Sequence, residues 1–259
     1  MDDYIFIHLE SIVNLIYSRG INISDFLAGI LHVPTNILLL NTETTDDLLV
    51  DNHTLLNEIN GSKEIEAYLK QHPDKQNWID FSPKESLGEL TANDIADLLY
   101  LGHMKSHLGA PFSYKMQNDF VYLSVGENQV KTYYRRLKNF YLVLNASIVR
   151  HAQQTFDKHH FTWFKKIKFE SLPKGMLRQL IPILGEGLIF AFDQSFEQNK
   201  EVRIPILIAS DSNLEPTFRS KDSLYNKAKQ VALLKYQVKD KTWKFTITDN
   251  QAFDTDALY

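Results

Sequence analysis

The sequence predicts an α+β fold: a helical N-terminal part, then a long central helix, then a mixed or antiparallel sheet with two hairpins. Three observations predict it. Ile5, Leu9, Ile12, Leu15 and Ile16 recur at helical spacing near the start. Between Val130 and Ile148 a stripe of Tyr133, Tyr134, Leu137, Phe140, Tyr141 and Leu144 advances by threes and fours. After Gly109, and again near the C-terminus, the pattern changes to alternating β-branched and aromatic residues around short polar turns.

Taken in order, residues 4–18 read as a first helix ended by Arg19-Gly20, and Ser24 as the N-cap of a second that stops at Pro34. A short third element begins at Thr35, and residues 46–59 and 63–71 read as further helices separated by Asn60-Gly61. SPKE at 82–85 and TAND at 91–94 fit capping boxes, the second ahead of IADLLYLGHMKSHL. Residues 111–116 and 120–125 read as a hairpin around a QND turn, and the long helix runs from about 128 to 156. Beyond it, 163–169 reads as a strand and KGMLRQLIPILG as a helix broken at Pro182. Residues 187–192 and 202–210 read as buried strands, and KAKQVALLKYQV with TWKFTIT as a second hairpin joined by Lys239-Asp240-Lys241. A boundary near residue 80 separates a helical part, 1–80, from an α+β domain, 81–259.

The chain has 259 residues, 44% of them hydrophobic and 23% charged, which is the profile of a packed globular protein. It has no cysteine, so disulfides, thiolate nucleophiles and sulfur-ligated metals are excluded. Asp2, Asp3, His8 and Glu10 interrupt the first apolar stretch where a secretory signal needs a basic region and an unbroken apolar run. No membrane span is expected, and a bacterial-type cytoplasmic protein is.

Charge is unevenly distributed. Residues 1–130 carry 7 Lys or Arg against 19 Asp or Glu, residues 131–168 carry 9 against 1, and residues 169–259 carry 12 against 12. On the expected helix Lys131, Arg135 and Lys138 stand at i, i+4 and i+7, a cationic row over two turns with Tyr134 at its edge. Those four residues are the expected binding site for an anionic small molecule or an acidic protein partner, because Arg forks and Lys ammonium groups hold phosphate and carboxylate by charge-assisted hydrogen bonds. The acidic N-terminal part is a competing internal neutraliser of the same row.

Residues 19–40 are similar in outline to the helix-turn-helix of bacterial regulators, with Ala28 in the first helix, Val33 after the turn and Leu38 in the second. The resemblance implies DNA reading, but residues 20–62 hold no Lys or Arg and six acidic residues, so a duplex is repelled there. The segment reads better as packing, and the N-terminal helices as a surface for oligomer formation.

Catalytic signals are sparse. His103 and His107 have the helical spacing of a metal pair, but Met104 stands where a metalloprotease needs Glu. ILGEGLIF lacks the third glycine of a dinucleotide fingerprint, and no nucleophile elbow, phosphate loop or kinase loop occurs. Ser210, Asp211, Ser212 and Asn213 follow an apolar strand, a position that favours either a binding loop or a plain turn. The expected function is a binding or regulatory protein with no cofactor specified. One alternative is an enzyme acting on a phosphorylated or carboxylated small molecule, with Asp211 and His103 or His107 as acid and base. Another is binding of RNA or single-stranded nucleic acid by segment 131–168.

Overall fold

The computed structural model describes residues 3–40, 57–73, 76–104, 111–126, 128–159, 167–209, 220–226 and 228–253. Its framework is one antiparallel sheet of twelve strands. In chain order these are β1 (Ile5–Glu10), β2 (Leu15–Arg19), β3 (Asn36–Leu39), β4 (Asn57–Asn60), β5 (Asn77–Asp80), β6 (Phe120–Gly126), β7 (Gln129–Tyr134), β8 (Leu188–Phe190), β9 (Phe196–Gln198), β10 (Glu201–Ile208), β11 (Lys229–Gln237) and β12 (Thr242–Ile247). The spatial order is β12-β11-β10-β8-β1-β2-β7-β6-β5-β3-β4, with β9 paired to β10 beside β8. The helices are α1 (Ile23–Gly29), α2 (Ser62–Gln71), α3 (Ala92–Met104), α4 (Leu137–His159) and α5 (Lys221–Tyr225), with 3-10 stretches at Lys84–Glu89 and Met176–Glu186.

This architecture corrects the expected fold class. The N-terminal part is not helical: residues 5–19 form the β1–β2 hairpin in the middle of the sheet. Ile5, Ile7 and Leu9 enter the core on one face, while Tyr4 and Phe6 are buried on the other. A strand buried on both faces loses its polar alternation, and its apolar run then satisfies helical spacing equally well. Of the N-terminal helices expected to offer a surface for oligomer formation, the first is therefore not formed, whereas α1 and α2 are. The segment similar to a helix-turn-helix has α1 as its first helix, capped by Asn22 and not Ser24, but its second element is the strand β3. Strands on both sides of residue 80 belong to the same sheet, since β5 pairs with both β3 and β6.

The long central helix is also shorter than expected. Asn128 adopts a left-handed φ of 53° and Gly126 pairs with Gln129, so the chain reverses there and residues 129–134 return as β7 beside β6. The β6–β7 pairing replaces the expected hairpin of 111–116 with 120–125; residues 114–117 form a turn instead. Val130, Thr132 and Tyr134 alternate with Lys131 and Tyr133, and these β-branched and aromatic residues favour a pleated surface over a helix. The helix starts only at Leu137. Segment 176–186 is 3-10 in geometry around Pro182. α2, the Thr91 capping box of α3 and the β11–β12 hairpin appear as the sequence predicts. Of the helix expected at 46–59, residues 57–59 lie in β4, and the rest lie outside the described residues; so does the greater part of the strand expected at 163–169.

The two faces of the sheet are covered differently. The first face carries the main core, where α1 and α4 cross so closely that a Cβ on Gly29 would lie 2.3 Å from the Val143 Cα. Phe26 of α1 meets Trp78, Phe120 and Tyr122 edge-on, with ring centres 5.2 to 5.6 Å apart. On the second face, Leu38, Ile79, Val121, Leu123 and Tyr133 are roofed by Leu87, Leu90 and Leu98 from the 3-10 stretch and α3. A smaller cluster of Phe6, Ile189, Leu207 and Leu224 lies under α5. Among the described residues no helix is long and apolar enough to cross a membrane.

Candidate functional site

The expected anion site is distributed over several settings, because its helical row does not exist. Lys131 lies in β7, 2% exposed, its ammonium 4.8 Å from the centre of the Tyr17 ring on the second face. Tyr134 projects to the opposite face into the main core, and burial pushes its phenol far above the ordinary range. Arg135 follows the strand; its Nε donates to the carbonyl of Asn118 at 2.6 Å and lies 3.7 Å from Asp119. Lys138 is exposed in the first turn of α4. Tyr134, Arg135 and Lys138 share the end of the sheet where β7 passes to α4, but the Tyr134 side chain is buried in the main core.

Sheet register creates a different cationic row. Arg203 of β10 pairs with Lys235 of β11, and Lys235 pairs in turn with Lys244 of β12. On its other side Arg203 pairs with Phe196 of β9. Residues directly opposite in antiparallel strands point to the same face, so all four side chains leave the sheet together. Their neighbours Val202, Ile204, Leu234, Tyr236 and Trp243 fill the first face, which fixes the row on the second. Strand spacing puts consecutive members roughly 4.8 Å apart, so three cations fall within about 10 Å.

Among the described residues the surroundings leave this row partly accessible. Arg203 and Lys235 are half-buried, Lys244 is exposed, and Phe196 is 47% exposed. Arg203 is steadied on two sides: its Nε donates to Glu201 at 2.8 Å, and its guanidinium lies 5.8 Å from the Phe196 ring centre. Among the described residues neither Lys235 nor Lys244 has an ion-pair partner. Like charges placed opposite one another destabilise a strand pair on the scale of about 0.2–1 kcal/mol. An anion above the row converts that repulsion into binding energy.

Two other charged groups are explained by folding. Asp25 of α1 accepts from Arg150 at 2.6 and 2.8 Å and from Ser147 at 3.0 Å, an ion pair that ties α1 to α4. Asp80, at the end of β5, accepts backbone N–H groups of Asp119 at 3.0 Å and Phe120 at 2.6 Å, holding the start of β6. Burial pushes its carboxyl up to about 7, against those N–H donors, which favour the ionised form.

Of the catalytic candidates, His103 lies in α3, while His107, Asp211 and the rest of 210–213 lie outside the described residues. Among the described residues no group of three or more His, Asp or Glu is arranged to hold a metal ion. The class this fold and row define is an antiparallel α+β protein with a cationic sheet face. No protein-family model, no curated protein and no solved structure matches the chain.

Sequence reading missed Arg203, Lys235 and Lys244 because each stands alone between apolar residues, in VRI, LKY and WKF. Counting outward from the Lys239–Lys241 turn of the expected hairpin sets Lys235 opposite Phe245; the observed pairing of Gln237 with Thr242 takes Val238 into the turn as well and so brings Lys235 opposite Lys244.

Proposed function

We propose that this protein is a cytoplasmic binding protein whose cationic sheet face captures a polyvalent anion of the phosphate class. The observation that carries this reading is the register of Arg203, Lys235 and Lys244, three cations directly opposite one another on adjacent strands, two of them half-buried and the third exposed. Arg203, already oriented by Glu201, supplies the directional fork, and the two lysines supply mobile charge. The absence of cysteine is consistent with a reducing compartment.

Calorimetric titration with inorganic tripolyphosphate tests the reading. Binding is expected to weaken steeply with added salt, and to fall at least about tenfold in a Lys235→Gln/Lys244→Gln variant, since each charge-assisted hydrogen bond contributes about 1.5–3 kcal/mol. Unchanged affinity in that variant overturns the proposal.

Phe196 favours a second reading. An exposed aromatic ring at the end of a cation row is the arrangement that stacks a base while phosphates are neutralised. A short single-stranded oligonucleotide that binds more tightly than tripolyphosphate, and loses that advantage in Phe196→Ala, selects it.

A further inference from the structure

A second surface, three strands away from β10, has different chemistry. At the end of the sheet where β1 passes to β2 and β7 passes to α4, Ile12 is 91% exposed and Tyr114 is 82% exposed. Backbone contacts bring their loops together. The Asn14 carbonyl accepts the N–H of Tyr134, and the Asp119 carbonyl accepts the N–H of Arg135, so the 11–14 turn and the 111–119 loop flank the same two residues. The Phe112 ring centre is 5.4 Å from the Arg135 guanidinium, and Val13 packs on the same apolar cluster as Phe112.

Isolated exposed apolar side chains are ordinary, but two large ones on adjoining loops are not explained by folding alone. Charge specifies what they meet. Arg135 is occupied by Asn118 and Asp119, whereas Arg136 and Lys138 are exposed and have no ion-pair partner among the described residues. The first turn of α4 carries no acidic side chain to neutralise them.

We propose that this end of the sheet is a docking surface for an acidic segment of a protein partner, in which Ile12 and Tyr114 are the apolar anchors and Arg136 and Lys138 receive carboxylates. Apolar anchors at the same end of the sheet as two exposed cations match the division of labour in protein interfaces: apolar and aromatic side chains give affinity, and rim charges select the partner and speed encounter. The partner segment then carries apolar residues interspersed with Asp or Glu.

The test replaces Ile12 with a photo-crosslinking amino acid, irradiates the full chain in a lysate of its source cells, and sequences the crosslinked peptide. The expected product is a peptide of net negative charge containing apolar residues, with its yield reduced roughly tenfold when Arg136→Glu and Lys138→Glu are introduced together. Both substitutions are at exposed positions, and an unchanged thermal transition verifies the fold. The proposal is overturned by a product containing only a second copy of this chain, a lipid or a nucleic acid. It is equally overturned by a yield indifferent to charge reversal, or by no product beyond that of the same crosslinker at exposed Gln198.

Discussion

The second face of the sheet is built in two ways. Over β5, β6 and β7 it is roofed by α3 and apolar but for the buried Lys131, and Ile79, Leu123 and Tyr133 are buried there. Over β10, β11 and β12 the same face carries Arg203, Lys235 and Lys244 in a row whose first two members are half-buried and whose third is exposed. Both regions share their opposite face with the same main core. Their stability therefore depends on the first face alike, but on the second face the β5–β7 region is covered throughout, whereas beyond Leu207 of β10, which packs under α5, the C-terminal strands carry the cations. Along β11 and β12 packing comes from the first face, and the second carries half-buried and exposed polar side chains.

The sharpest break of this comparison is a cavity under the roof. Leu123→Ala is expected to cost about 2–5 kcal/mol of unfolding free energy, read by chemical denaturation, because a nearly fully buried leucine leaves both a transfer loss and a void. The next effect is on pH. With its carboxyl raised to about 7, Asp80 binds its proton more tightly in the folded chain than in the unfolded one. Its stabilising contribution is thus full below the unfolded pKa near 4 and is lost as pH rises through 7, a change on the order of a few kcal/mol. Asp80→Asn flattens that slope in denaturation measured across the window; a slope that survives contradicts the assignment.

Smaller changes belong to the open region. Lys235→Thr with Lys244→Thr is expected to leave stability unchanged or raise it by up to about 1 kcal/mol, by removing like-charge opposition and placing β-branched residues on strands, while tripolyphosphate binding is lost. Smallest is Phe196→Ala, whose effect on thermal unfolding is expected to stay within about 0.5 kcal/mol because the ring is half exposed. A loss of several kcal/mol from either change shows that the two regions are equally structural.

What the sequence made legible follows from how far apart the decisive residues are. α2 and the Thr91 box of α3 depend on neighbours within four residues, and the β11–β12 hairpin on a short turn; all three are readable locally. The strands β1 and β2 were not, because burial on both faces removes the alternation that separates strand from helix. For β7 the deciding information was the turn at Gly126 and Asn128, which outweighs a stripe of aromatic residues that fits either period. The cation row lay furthest from view. Arg203 meets Lys235 across a pairing with a bulge after Ile206, so no local spacing reveals it.

Lys244 occupies β12, the strand that closes one margin of the sheet order. A charged side chain on a terminal strand discourages a second molecule from adding its own strand there. Removal of this charge, as in Lys244→Thr, therefore also lowers an electrostatic guard against self-association at that margin.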